Sequence, residues 1–217
     1  MHKAGVVCSE CHDPHSAEIK LPNNALCSHC HNPSTYDVVK HTQHQTLECV
    51  DCHMPKTVYM GVDGRRDHSF KVPNPVMSDR VGSPNVCTGC HSEQPMKWVT
   101  KNMAPWASAI EARTKKMNWA LVFEQANKQS SNNKDLIKIA TDTTHSDILR
   151  GSAALRVNQI ASQSELQQLI KLVQDDSELV CLGAVKAMIN LPLELRWHIL
   201  KHQLSEKVLS IRYEMAK

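Results

Sequence analysis

Eight of the nine cysteines fall into four copies of one pattern: two Cys three positions apart, with a His directly after the second. The copies are Cys8-Ser-Glu-Cys11-His12, Cys27-Ser-His-Cys30-His31, Cys49-Val-Asp-Cys52-His53 and Cys87-Thr-Gly-Cys90-His91. All four lie before residue 92, together with ten of the thirteen His; only Cys181, His145, His198 and His202 come later. The same stretch is poor in large side chains, with Tyr36, Tyr59 and Phe70 its only Tyr or Phe. A hundred residues so composed can hardly bury enough area to offset chain entropy. Something other than side chains must fill that half.

The pattern itself names the filler. C-x-x-C-H is the attachment signature of c-type haem. Two thiols at this spacing each form a thioether to one vinyl group of a single porphyrin, and the following His is held under the iron as its proximal ligand. Zinc sites do not require a His after every Cys pair. A disulfide framework needs no His at all, and a thioredoxin-like redox site would be one motif rather than four. The expectation is therefore four covalent haems c, attached at Cys8/Cys11, Cys27/Cys30, Cys49/Cys52 and Cys87/Cys90, with His12, His31, His53 and His91 as proximal ligands. Their propionates add about eight negative charges, less any paired with Lys or Arg. Residues 1–104 balance ten Lys/Arg against ten Asp/Glu, so the loaded half is expected to be acidic beside a mildly basic remainder.

What closes the other face of each iron decides between electron transfer and chemistry on a substrate. Candidate distal ligands are His68, His15, His41, His2 and His44. His15 follows Pro14, which directs it away from the haem of His12 and towards a neighbouring iron. His41 and His44 are one helical turn apart just before the third motif; one is expected to ligate, His41 ahead of His44, with the other behind it. His68 sits in Arg65-Arg66-Asp67-His68, among charges that could serve propionates. His29, inside a motif, is expected not to ligate. Met54 follows His53 too closely to reach round the same iron, and Met60 is a weaker candidate than the His.

The stretch from Cys49-Val-Asp-Cys52-His53-Met54-Pro55-Lys56 through Asp67-His68 to Cys87-x-x-Cys90-His91 resembles the last two haem motifs of pentahaem cytochrome c nitrite reductases. Nearly the whole chain is similar to larger multihaem cytochromes that join such motifs to HEAT and tetratricopeptide repeats. Segments like Gly5-Val-x-Cys8, Asp13-Pro14-His15-Ser16 and Arg65-Arg66-Asp67-His68-Ser69-Phe70 recur in those. The nitrite-reductase resemblance implies that His68 ligates the first haem and that a His just upstream of Cys49 ligates the fourth. Those reductases replace the His of the catalytic motif by Lys, and no C-x-x-C-K occurs here. Reductase activity is therefore not carried over.

From about Pro105 onward the pattern is helical. Ser162 to Glu165 reads as a capping box ahead of Leu166, Leu169, Ile170 and Val173. Pro192 suits a first turn, and Ser205 a cap before Val208, Ile211 and Met215. Small-residue segments at Leu149–Ala154, Cys181–Val185 and Ile211–Ala216 recur at a period of two short helices, which suggests an α-solenoid similar to HEAT repeats. Cys181 is expected as buried filler, and Trp98, Trp106 and Trp119 to surround the junction, one of them packing the helical half on the fourth haem.

The expected fold is mainly α: a loop-rich tetrahaem cytochrome c domain with few short helices at 1–104, then a HEAT-like helical repeat domain at 105–217. The favoured function is electron transfer through mostly bis-His, low-potential haems, with the helical domain for docking. The alternative is an oxidoreductase acting on a small nitrogen or sulfur oxyanion or hydroxylamine at one open haem. The chain is read as an electron-transfer protein more than an enzyme. Expected partners are redox proteins and other haem domains of a longer parent chain. With 41% apolar residues, 22% charged and a net charge of +3, neither disorder nor nucleic-acid binding fits. No apolar run is long enough for a membrane span. Met1 stands seven residues before Cys8, too close for a secretory leader. Because haem c is attached outside the cytoplasm, an excised part of a longer protein is expected, or a processed mature form, on the periplasmic or extracellular side of a bacterial envelope.

Overall fold

The computed structural model describes residues 4–129, 132–204 and 207–216. Helix accounts for 58% of the chain, and strand is confined to one hairpin among the described residues, so the fold is mainly α. The chain divides into two compact units, the first ending at Ala107 and the second starting at Ser108.

The first unit carries α1 (Cys8–Cys11), α2 (Ala25–Ser28), α3 (Pro33–Tyr36), α4 (Val39–Thr42), α5 (Cys49–His53), α6 (Pro75–Val81), α7 (Val86–Cys90) and α8 (Met96–Asn102). The hairpin of β1 (Lys56–Tyr59) and β2 (Asp63–Arg66) lies between α5 and α6. These helices are one or two turns long, and local caps hold them. The Asn32, Asn74 and Asn85 side chains accept from Ser34, Met77 and Thr88 N–H at the starts of α3, α6 and α7. Glu48 and Asp51 form a reciprocal capping box on α5. Such caps contribute about 1 kcal/mol each. Met60 (φ 52°) and Gly61 (φ 78°) turn the hairpin in the left-handed region, where Gly pays no Cβ penalty. Among the described residues of this unit only Asn74, Pro75, Met77 and Val99 are buried, where α6 packs on α8.

The second unit is built of longer helices: α9 (Ala107–Lys116), α10 (Asn118–Asn127), α11 (Asn133–Thr141), α12 (Asp147–Leu155), α13 (Gln163–Val173), α14 (Glu178–Ala187), α15 (Leu193–Leu200) and α16 (Leu209–Met215). Helix α14 packs between α12 and α16, while α11 packs on α12 and α13. One continuous core runs through them, with Leu136, Ala140, Ala153, Leu169, Val180, Ala184, Met188 and Ile211 at its centre. Cys181 belongs to it at 4% exposure.

Two features set the spacing of α12 and α14. A methyl group at Gly183 would run into the Gly151 carbonyl, and one at Gly151 would meet the Leu179 carbonyl, so the backbones approach as closely as glycine allows. Arg150, buried at the start of the same face, donates to the Ala140 carbonyl (3.0 Å) and pairs with Asp175 on the turn before α14. At α13 the Ser162 hydroxyl caps Glu165 N–H (3.2 Å), as the sequence suggests. The return bond differs: Glu165 accepts from Ala161 N–H (2.9 Å), one residue further out than a capping box requires. Ser205 lies outside the described residues.

Candidate haem centres

Each Cys pair sits on a short helix or its edge: Cys8 and Cys11 bound α1, Cys27 lies in α2 with Cys30 just beyond it, Cys49 and Cys52 lie in α5, and Cys87 and Cys90 in α7. Helical spacing puts residues i and i+3 on one face. None of the nine Cys forms a disulfide. Burial, then the neighbouring Cys27 and Asp37, push the Cys49 thiol up to about 11. Burial likewise raises Cys27, Cys52 and Cys87. Among the described residues, no group of three or more His, Cys, Asp or Glu converges as a metal cluster would.

The histidines converge in twos instead. The rings of His12 and His68 lie 6.2 Å apart between centroids, His53 and His41 6.3 Å, and His91 and His44 6.1 Å. An iron–imidazole bond of about 2 Å, with the nitrogen roughly 1.1 Å from its ring centroid, sets two axial imidazoles of one iron about 6.2 Å apart. Each pair joins one motif His to one non-motif His. The tautomers fit as well. The Nδ1 of His12 donates to the Ala17 carbonyl (2.9 Å), His68 to Arg66 (2.9 Å), His53 to Lys71 (2.9 Å) and His44 to Thr42 (2.7 Å). A carbonyl only accepts, so in these four rings the proton is on Nδ1 and the Nε2 lone pair is free for a metal. Burial, then His53, lower the basicity of His41 and favour the neutral ring that coordinates. The scarcity of buried side chains in this unit and the paired imidazoles together fit covalent haem.

Local backbone explains which ring goes where. Helix α4 ends at Thr42, and Gln43 takes a left-handed conformation (φ 56°). His41 and His44 therefore do not share a helix face, and the expected division into a ligand and its support gives way to two rings facing two different motif His. His68 follows β2, where Asp67 N–H donates to the Pro55 carbonyl (3.1 Å). The charges expected for propionates have protein partners: Arg65 pairs with Asp63 (2.6 Å) and Asp67 with Lys71 (2.8 Å). Arg66 reaches Asp51 (2.9 Å) and the carbonyls of Val50 and Met54, clamping α5 to the hairpin. Trp98, from α8, lies on His91 with 4.8 Å between ring centroids.

His31 is placed differently. Its ring neighbour is Tyr36, at 5.7 Å and nearly perpendicular. A phenolate across the same iron would stand at about 7.7 Å by the same bond lengths, so Tyr36 packs on His31 directly. His15 and His29 are exposed, and neither ring touches another ring among the described residues. His15 lies in a tight loop after the first motif. Asp13 accepts from the backbone N–H of His15 and of Ser16 (both 2.9 Å), and Ala17 turns left-handed (φ 61°), so the loop curls back onto His12. His2 lies outside the described residues. By sequence Arg66 stands out only as a charge for propionates, and neither Tyr36 nor Asn24 is marked as a group that positions the motifs. Their signals are slight: Tyr36 is one of three Tyr or Phe in its half, while nothing marks Asn24.

No curated protein and no solved structure matches the chain. A family model described as cytochrome c552 matches residues 34–151, more than half of the chain, and includes the third and fourth motifs. The chain therefore belongs to the cytochrome c552 family, which implies covalently bound haem c.

Proposed function

We propose that the protein transfers electrons through four covalent haems c, three of them held by the pairs His12/His68, His53/His41 and His91/His44. The observation that carries this is the recurrence of one ring separation, 6.1–6.3 Å, at three of the four motifs. When bound, each haem supplies an iron that changes oxidation state by one electron. The chain's part is to hold two neutral imidazoles in place, four of the six rings fixed by Nδ1–H bonds to backbone carbonyls. Two strong nitrogen ligands leave no position for substrate and lower the potential relative to His/Met ligation. The helical unit serves as a HEAT-like docking surface for redox proteins or for other haem domains of a longer chain. The repeated close packing of α12, α14 and α16 supports this reading. Members of the family are typically periplasmic, and no helix among the described residues is long and apolar enough to cross a membrane.

A second reading has its own support. Among the described residues His31 faces Tyr36 and no imidazole, so the second haem is where a small nitrogen or sulfur oxyanion or hydroxylamine would bind if the protein were an oxidoreductase. Low-temperature EPR of the fully loaded ferric protein separates the two. Electron transfer through the three imidazole pairs requires low-spin iron at those haems and no turnover at the second. His68→Ala, His41→Ala and His44→Ala should each then convert one different haem to high spin. A stoichiometric high-spin share in the wild type, with nitrite or cyanide binding and viologen-driven turnover, would establish the enzyme instead.

A further inference from the structure

Tyr36 touches ligands of two different haems. Its ring meets His31 at 5.7 Å and 85°, and His41 at 5.5 Å and 89°. Edge-to-face contact at these separations is the favoured aromatic geometry, and it fixes orientation as well as distance. His41 in turn faces His53 with an interplanar angle of only 10°, against 34° for His12/His68 and 35° for His44/His91. The pair nearest to parallel is thus the one in contact with the tyrosine.

The backbone gives Tyr36 little freedom. It ends α3, whose start is fixed by Pro33 and the Asn32 cap, and its N–H donates to the Asn32 carbonyl (3.1 Å). The next residue, Asp37, accepts from Asn24 Nδ2 (2.8 Å), and Asn24 Oδ1 accepts from Cys49 N–H (2.8 Å). Tyr36 is therefore tied to the helix of the second motif and to that of the third. Its hydroxyl makes no hydrogen bond among the described residues, so the ring carries the contact.

We propose that Tyr36 is a positioning residue: set nearly perpendicular to both the His31 and His41 rings, it holds His41 nearly parallel to His53 and couples the ligand geometry of the second and third haems. This rests on the ligand assignment proposed above. Low-spin ferric haem reports the angle between its axial imidazole planes directly. Parallel planes separate the iron d orbitals and give a rhombic EPR signal, whereas rotated planes give a more anisotropic one.

The experiment is ferric EPR on the fully loaded protein and its variants. The component lost in His41→Ala identifies the His41/His53 haem. If His41→Ala removes no low-spin component, the ligand assignment fails and this proposal falls with it. If it does, Tyr36→Phe should leave that component unchanged, and Tyr36→Leu should move it towards higher anisotropy while the components lost in His68→Ala and His44→Ala stay fixed. Should Tyr36→Leu not load haem, Tyr36→Trp, which keeps an aromatic ring but alters its edge, should move the same component. An identified His41/His53 component that is superimposable in wild type and in the loaded variant overturns the positioning role and leaves the ligand assignment standing.

Discussion

Between Val122 and Met215 buried apolar side chains form one continuous cluster, with Leu136, Ala140, Leu169, Val180 and Met188 at or close to zero exposure. Before Ala107 only Asn74, Pro75, Met77 and Val99 are buried among the described residues, while Val7, Ile19, Val39 and Val72 are exposed. The second unit offsets its chain entropy in the ordinary way, by removing aliphatic area from water. The first unit fixes its backbone by caps, turns and the Arg66 clamp, and leaves many of its apolar groups exposed. Exposed aliphatic side chains therefore mean different things in the two units. In the second they are surface. In the first they are the expected lining of a large apolar group supplied from outside the chain.

The largest effect should come from withholding that group. In chain produced without haem attachment, amide hydrogen exchange should show protection kept across α11–α14 and lost from residues 4–107. Equal protection in both units would mean that caps alone sustain the first. The second test attacks the other side. Arg150→Ala leaves Asp175 without its buried partner and strips a donor from the Ala140 carbonyl. It should cost about 3–5 kcal/mol in denaturant unfolding of the second unit, with the haem absorption spectrum unchanged. A smaller loss, about 1–3 kcal/mol, is expected for Gly183→Ala, whose methyl must push α14 off the Gly151 carbonyl. Haem spectra that shift in either variant would show that the units share their stability.

The sequence makes legible whatever depends on neighbours along the chain. The Cys-x-x-Cys-His spacing is such a feature, because one porphyrin spans it, and so is the helical periodicity that yields the α13 cap at Ser162 and the small-residue contact of α12 with α14. The hairpin escaped notice although Thr57, Val58 and Tyr59 followed by Gly61 are a strand-and-turn signal. The opposite rings are harder to read. His68 and His12 meet through a hairpin and a clamp to α5, and nothing in the spacing of His41 and His44 announces a left-handed Gln43 between them. A single backbone angle there redirects one imidazole, and such an angle leaves almost no mark on composition.

Arg66 grips the third motif's helix, and two residues later the same strand end delivers His68 to the first motif's His12. Under the proposed ligation, the residue that anchors one haem site thereby also sets the reach of another. A shift of α5 on attachment of its own porphyrin would be felt, within a few bonds, as a change of reach at an iron belonging to a motif some forty positions earlier in the chain.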